Sequence, residues 1–265
     1  MARNSGVALR ELRSSISDGW LPELYAVVDR NLAAQVRTGI PLAADGRVDT
    51  IDAELLPGWI ARFRKDVSPF IYSMFGAGYD LGEAELGRRD MIQKLAGGKA
   101  RRPFIEPELL AARVRDHADK FIEQVTKTSS DTTAKQLADA YAKARTDPEL
   151  LTPAQTAKAL RKKFATVTPA RANSITRTTT IWTYNGGARD SYADNGVRRL
   201  QWLTTADDLT CEFCEAMDGR QCGIDDGFAA KGDSVSGTRG GSYEAQWDLE
   251  HSPLHQCCRC VIVPV

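Results

Sequence analysis

The sequence predicts an α-rich, α+β protein, with a helical N-terminal region over 1–146 followed by a small α+β module over 147–265 that carries a knuckle-like Cys/His site. Three observations predict it. Apolar residues recur at helical spacing through most of the chain before Asn195. Alternating or β-branched runs suited to strands stand out only after Val197. All six cysteines, and two of the three histidines, lie in the last 55 residues.

Taken in order, Val7 to Ile16 is a short amphipathic segment, a helix or a frayed arm. Pro22 suits a first helical turn, and Leu24, Val27, Val28, Leu32 and Val36 form a stripe that Thr38-Gly39-Ile40-Pro41 is expected to end. Residues 42–50 read as a loop, and Asp52 as an N-cap, with Pro57-Gly58 a second possible start. Trp59, Ile60, Phe63, Val67, Phe70, Ile71, Met74 and Phe75 make the most apolar helical stripe in the chain. It is either bundle core or a helix laid into a partner's groove. Gly76, Gly78 and Gly82 weaken the helix beyond it.

Residues 88–102 hold six basic side chains, Arg88, Arg89, Lys94, Lys99, Arg101 and Arg102, broken by Gly97-Gly98. No aromatic residue interleaves with them, which disfavours nucleic-acid binding. Pro107 opens a helix with Leu109, Leu110, Val114 and Phe121 inward and His117 at its boundary. Asp131 is read as the cap of a weaker helix to Arg145. The turn-rich stretch 146–155 is the domain seam. Thr152-Pro153 and Thr168-Pro169 are each expected to start a helix, the first anchored by Leu160 and Phe164, the second carrying Ala172, Ile175, Thr179, Trp182, Ala188 and Tyr192. Asn195-Gly196 stops it. Arg199 to Leu203 alternates like a strand, and Val261-Ile262-Val263 is suited to pair with it. That pairing would bring the two cysteine knuckles to adjacent ends of one sheet.

The first knuckle is Cys211-x-x-Cys214, a spacing that presents two thiolates to one point; the second is His255 with Cys258 and Cys260. Thiolate and imidazole donors suit Zn²⁺ and not magnesium or calcium. Cys211, Cys214 and His255 are the first ligands, and the spacing leaves the fourth open between Cys258 and Cys260. Cys222 and Cys257 are extras, and His251 lies nearby. Disulfides or a redox pair are the alternatives, but no apolar h-region opens the chain and no βαβ context surrounds the Cys-x-x-Cys. A catalytic zinc would keep an open position and a general base. Glu212, Glu215 and Glu250 are near, yet no H-E-x-x-H pattern exists. The expectation is a closed, structural, zinc-knuckle-like site in a protein that is not an enzyme.

No apolar run approaches the about 20 residues of a membrane-spanning helix, so no membrane partner is expected. The formal net charge of zero hides an asymmetry. From Leu200 onward four Lys/Arg face eleven Asp/Glu, a balance of −7, so residues 1–199 hold 31 against 24, or +7. An acidic knuckle module argues against a DNA-binding zinc finger.

T-P-A-R-A-N-S-I-T-R-T, then W-L-T-T-A-D-D-L-T-C-E-F-C-E-A-M-D-G, then P-L-H-Q-C-C-R-C together resemble the minor head, or head-morphogenesis, proteins of tailed bacteriophages typified by the F protein of phage Mu. The resemblance covers about Leu150 to Val263. Gln256-Cys257 stand where relatives often carry Pro-Asn, which makes Cys257 a competing ligand, and Thr179 stands where they often carry an acidic residue. The resemblance implies a minor capsid protein of the virion, at the portal vertex or the capsid interior, assembled in the host cytoplasm in several copies per virion. It implies contact with the portal protein or the major capsid protein and at most weak contact with packaged DNA. Its rival is a packaged enzyme, a zinc-dependent nuclease or hydrolase or an ADP-ribosyltransferase. The 1–146 region, through the face from Trp59 to Tyr79, is the candidate portal-binding part.

Overall fold

The computed structural model describes residues 2–48, 50, 51, 55–95, 107–146, 152–205 and 207–265, with side chains from Leu21 onward except at 88–95, 107, 110, 114, 117, 144, 145 and 166. The proposed cap Asp52, the basic side chains of 88–102, the inward placement of Leu110 and Val114, His117 and the side chains of Val7 to Ile16 lie outside the described residues.

Four long helices come first: α1 (Ala2–Ala44), α2 (Leu56–Leu95), α3 (Pro107–Arg145) and α4 (Pro153–Asp194). Then follow β1 (Arg199–Leu203), α5 (Glu212–Met217), β2 (Gln221–Gly223), β3 (Ser234–Ser236), β4 (Ser242–Glu244) and β5 (Val261–Pro264). The protein is helix-rich with a small antiparallel sheet module near its C-terminus. The expected pairing of β1 with β5 is present, with Trp202 opposite Ile262 and Leu203 opposite Val261. Strand β2 adds to the other edge of β1, giving the order β2-β1-β5, and β3 and β4 form a separate hairpin.

The helices run longer than their local signals suggest. α1 continues through Thr38 to Pro41 because Ile40 and Ala43 are buried, and the Thr38 hydroxyl donates back to the Ala34 carbonyl. It stops where Gly46 takes φ +80° and the Arg47 amide donates to the Leu42 carbonyl. α3 runs through Asp131. The Ser/Thr run before it looks like capping chemistry, but Thr126 and Thr133 hydroxyls donate to the Ile122 and Ser129 carbonyls inside the helix. α4 passes Pro169, which is exposed, while Leu160, Phe164 and Ala172 on either side of it are buried. Burial on both flanks outweighs the roughly 3 kcal/mol an interior proline costs. Asn195-Gly196 ends α4 as expected, with the Val197 amide donating to the Tyr192 carbonyl.

The chain forms two compact units, and they do not follow the sequence division at 146/147. One comprises Pro22–Phe70 and Asp119–Thr176. Its core gathers Val36, Ile40, Ile51, Trp59, Leu137, Leu160 and Phe164. A polar inset lies within it: Arg171 donates to Thr133 Oγ1 at 2.6 Å and to the Ser129 carbonyl, and Thr133 donates to Gln35 Oε1 at 2.9 Å. Burial draws the Arg171 pKa down to about 10.

The other unit comprises Met1–Leu21, Ile71–Ala118 and Arg177–Val265. Here α2 and α4 meet backbone to backbone. A Cβ on Gly78 would strike the Tyr184 carbonyl, and one on Gly187 would strike that of Phe75. Gly78 and Gly82, read as helix-weakening, are thus among the residues that permit the close approach. Tyr79 donates to Asp194 at 3.1 Å, Tyr192 donates to Glu85, and Arg113 pairs with Asp194. The sheet module packs on Ala188 and Tyr192 through Leu200, Trp202, Met217, Ile224, Phe228, Leu249, Leu254 and Ile262.

The face from Trp59 to Tyr79 is core and not a docking surface. Trp59, Phe63, Val67, Ile71, Met74, Phe75 and Tyr79 are each at most 5% exposed. This corrects the expectation that the face binds a partner: an apolar stripe this continuous is satisfied by the chain's own helices.

Candidate metal centre

The first knuckle is built by a turn and a one-and-a-half-turn helix. Asp207 accepts from the Leu209 amide at 3.0 Å, and its carbonyl accepts from the Thr210 amide at 2.9 Å. This turn delivers Cys211 to the N-cap of α5, where its sulfur accepts from the Cys214 amide at 3.4 Å. After α5, Asp218 accepts from the Thr204 amide at 2.8 Å and returns the chain to the sheet.

The second knuckle hangs between Leu254, which is fully buried, and β5. The Cys258 amide donates to the His255 carbonyl at 3.2 Å, and the turn is closed by Cys257 at φ +59°, whose own amide donates to Thr178 Oγ1 at 3.0 Å. Asn185 on α4 grips the exit, its Nδ2 donating to the Cys260 carbonyl at 3.4 Å and its Oδ1 accepting from the Ile262 amide at 3.3 Å. Ser252 Oγ donates to the same Cys260 carbonyl at 2.7 Å. Across the gap, both terminal guanidinium nitrogens of Arg259, Nη1 and Nη2, donate to Asp207, at 2.7 and 2.6 Å. That hydrogen-bonded guanidinium holds the Asp207 carboxyl below its ordinary pKa.

The two knuckles converge. His255 Nε2 lies 3.0 Å from Cys211 Sγ and 3.2 Å from Cys214 Sγ, and Cys214 Sγ lies 3.6 Å from Cys258 Sγ. Ligand atoms on a zinc tetrahedron stand about 3.5–3.8 Å apart, given Zn–S near 2.3 Å and Zn–N near 2.0 Å. Two trios therefore qualify as metal-holding groups, Cys211–Cys214–His255 and Cys214–Cys258–Cys260, and they share Cys214. His255 Nδ1 sits 2.8 Å from the Gln256 carbonyl. An Nδ1–H donated there leaves the Nε2 lone pair facing the two thiols, the outer-shell arrangement that orients metal-bound imidazoles.

The thiols already share charge among themselves. Donation from Cys214 and then Cys260 holds the Cys258 pKa well below the ordinary thiol value. Donation to Cys258 and Cys260, followed by burial, drives Cys214 up. For Cys260, the hydrogen bond from Cys214 pulls downward, but donation to Cys258 and burial outweigh it and the thiol is raised. A bound cation would replace this proton sharing by deprotonating every ligand sulfur.

The remaining candidates lie elsewhere. Cys257 is exposed and belongs to neither trio. Burial, then the nearby Asp226, pushes the half-buried Cys222 up to about 11. His251 is 5% exposed and packs its ring 4.9 Å from that of Trp182. Glu212 and Glu215 hold the 238–241 loop: Glu212 accepts from the Arg239 and Gly241 amides, each at 3.1 Å, and Glu215 pairs with Arg239 at 2.9 Å. Glu250 meets Arg189 at 3.4 Å. The residues that sequence reading missed are Asn185, Thr178 and the Asp207–Arg259 pair. Only the last left a sequence signal, a charged residue in each knuckle.

No curated protein and no solved structure matches the chain. One family model does, described as Phage Mu protein F like protein, over residues 151–263. That segment holds both knuckles, α4 and all of the sheet module but the last residue of β5, so the family to which the cysteine and histidine motifs point is the family that the chain matches there.

Proposed function

We propose that the protein is a minor capsid, head-morphogenesis protein of a tailed phage, acting by structure and interaction at the portal vertex or inside the prohead. The family match over 151–263 carries this reading, and the charge and motif arguments are compatible with it. Its partners would be the portal or major capsid protein, and its place the virion. Within it, Cys211, Cys214, His255 and Cys258 hold one structural Zn²⁺, with Cys260 behind them. Cys258 is favoured as fourth ligand because its sulfur lies 3.6 Å from that of Cys214, close to the spacing of two thiolates on one zinc tetrahedron. Bound zinc would cross-link the two knuckles; the chain's own residues orient His255 and fix the turn that presents Cys258.

The packaged-enzyme reading gains no support from the carboxylates near the centre, since Glu212, Glu215 and Glu250 are engaged as loop anchors and ion-pair partners. The test has two parts. Metal analysis of protein purified in reducing buffer should give about one zinc per chain, and Cys258→Ser should lower it more than Cys260→Ser. Pull-down of purified portal by the full chain should succeed, and capture of neither portal nor capsid protein would sink the head-assembly role.

A further inference from the structure

Strands β3 and β4 pair with Val235 opposite Tyr243, Ser234 opposite Glu244 and Ser236 opposite Ser242. Side chains alternate across a strand, so Val235 and Tyr243 share one face of the hairpin and the four polar residues share the other. Those four are exposed, whereas Val235 is buried and Tyr243 half-buried. The Val235–Tyr243 face is turned to the metal centre. The Tyr243 ring centroid lies 5.6 Å from that of Phe213, which stands between Cys211 and Cys214 in the sequence. It also lies 6.0 Å, edge-on, from that of His255. One side chain thus bridges the two knuckles.

A second set of contacts ties the hairpin tip to α5, the helix that Cys211 caps and that carries Cys214. The Thr238 amide donates to the Glu212 carbonyl at 3.3 Å, and the Glu212 carboxylate accepts from the Arg239 and Gly241 amides. Glu215 accepts from the Thr238 hydroxyl at 2.6 Å and pairs with Arg239. Room for the Glu212 carboxylate depends on two glycines, since a Cβ on Gly237 or Gly241 would strike it. The Glu215 contacts lie at the surface, where such bonds are individually weak, so this strap opens far more readily than the core. Cys214 and Cys258 are buried, while Cys211 and His255 are only partly so. An ion therefore enters or leaves past Cys211 and His255, the side on which Tyr243 lies. We propose, on the reading that Cys211, Cys214, His255 and Cys258 hold zinc, that the β3–β4 hairpin is a flap over that centre. Tyr243 is its cover, and Glu212 and Glu215 are its clasp. The clasp is made of carboxylates, amides and a hydroxyl and uses no ligand atom, so it opens equally with and without metal. It sets how fast the ion is exchanged and leaves the strength of binding to the ligands.

The zinc-loaded full chain, mixed with excess EDTA, should release its metal slowly. Glu212→Ala/Glu215→Ala, which frees the tip, and Tyr243→Ala, which removes the cover, should each release it about tenfold or more faster. Both variants should also load zinc correspondingly faster, with the equilibrium Kd within about threefold of wild type, because a gate lowers the barrier in both directions. Tyr243→Phe keeps the ring and should restore slow release. Release as slow as wild type in both alanine variants would overturn the proposal. So would faster release matched by an equal loss of affinity with no gain in loading rate, since that marks support of the ligands and not a gate. A wild-type chain that takes up no zinc would sink the metal reading and the flap together; zinc-loaded protein whose release ignores the hairpin would sink the flap alone.

Discussion

Arg259 sits between two candidate ligands, yet its guanidinium faces away from them to Asp207, 52 positions earlier in the chain. It ties the second knuckle to the turn that places Cys211. Outer-shell contacts of this kind typically change metal affinity by about 10–100-fold. Arg259→Gln should therefore weaken zinc binding about tenfold in chelator competition, and Arg259→Lys should recover only part, since an ammonium cannot supply two parallel bonds. His251 behaves differently. Burial, opposed by its bond to the Ser252 carbonyl, lowers its pKa from 6.5 to about 4. Between these values the unfolded chain binds a proton that the folded chain refuses. The stability from this site is thus complete above about pH 6.5 and falls as the pH drops toward 4, by on the order of 3 kcal/mol. His251→Gln should flatten that part of the stability–pH curve relative to wild type; parallel curves would refute the assignment. The Cys and His residues that converge were readable from spacing and donor type. Asn185 and Thr178 were not, because a polar helix residue 75 or more positions away leaves no local trace of the carbonyl or amide it will meet.

For whole elements, the glycines of α2 separate two effects that sequence alone merges. Gly78 touches the backbone of α4, whereas a Cβ on Gly76 meets nothing within 4 Å. Gly76→Ala should raise the melting temperature slightly, by up to about 1 kcal/mol of helix propensity. Gly78→Ala should cost several times that, on the order of 3 kcal/mol, because backbone cannot retreat as a side chain can. Equal effects at the two positions would show that the helix contact is not tight. The boundaries follow the same logic. Thr152, expected to start a helix, does so in a capping box with Gln155, the Thr152 amide donating to Gln155 Oε1 at 3.0 Å and the Gln155 amide to Thr152 Oγ1 at 3.3 Å. Start signals at Pro22 and Pro169 fall inside α1 and α4 instead, where the burial of flanking residues such as Leu24, Phe164 and Ala172 overrides them. The β1–β5 pair was legible because its alternating and β-branched patterns are complementary; the β3–β4 hairpin, three-residue strands Ser-Val-Ser and Ser-Tyr-Glu with one buried valine, was not.

For the molecule as a whole, the chain is not laid out in two consecutive pieces. Each long helix contributes residues to both compact units: the assignment changes at Leu21/Pro22, Phe70/Ile71, Ala118/Asp119 and Thr176/Arg177. Cutting after Thr146 would strip Leu160 and Phe164 from the cluster of Ile40, Trp59 and Leu137, and would part Gly187 from Phe75. Neither half would retain a closed core. Fragments 1–146 and 147–265 should each aggregate when expressed alone and yield soluble, zinc-loaded protein when co-expressed; a soluble, cooperatively melting 147–265 would contradict this. A ribosome making this chain therefore cannot complete either unit until it has translated well past the capping box at Thr152. Until then Trp59, Ile40 and Ile51 have no fourth helix to cover them, so the nascent chain depends on chaperones or on speed, and the last of the long helices to be translated, α4, is the one that closes both cores.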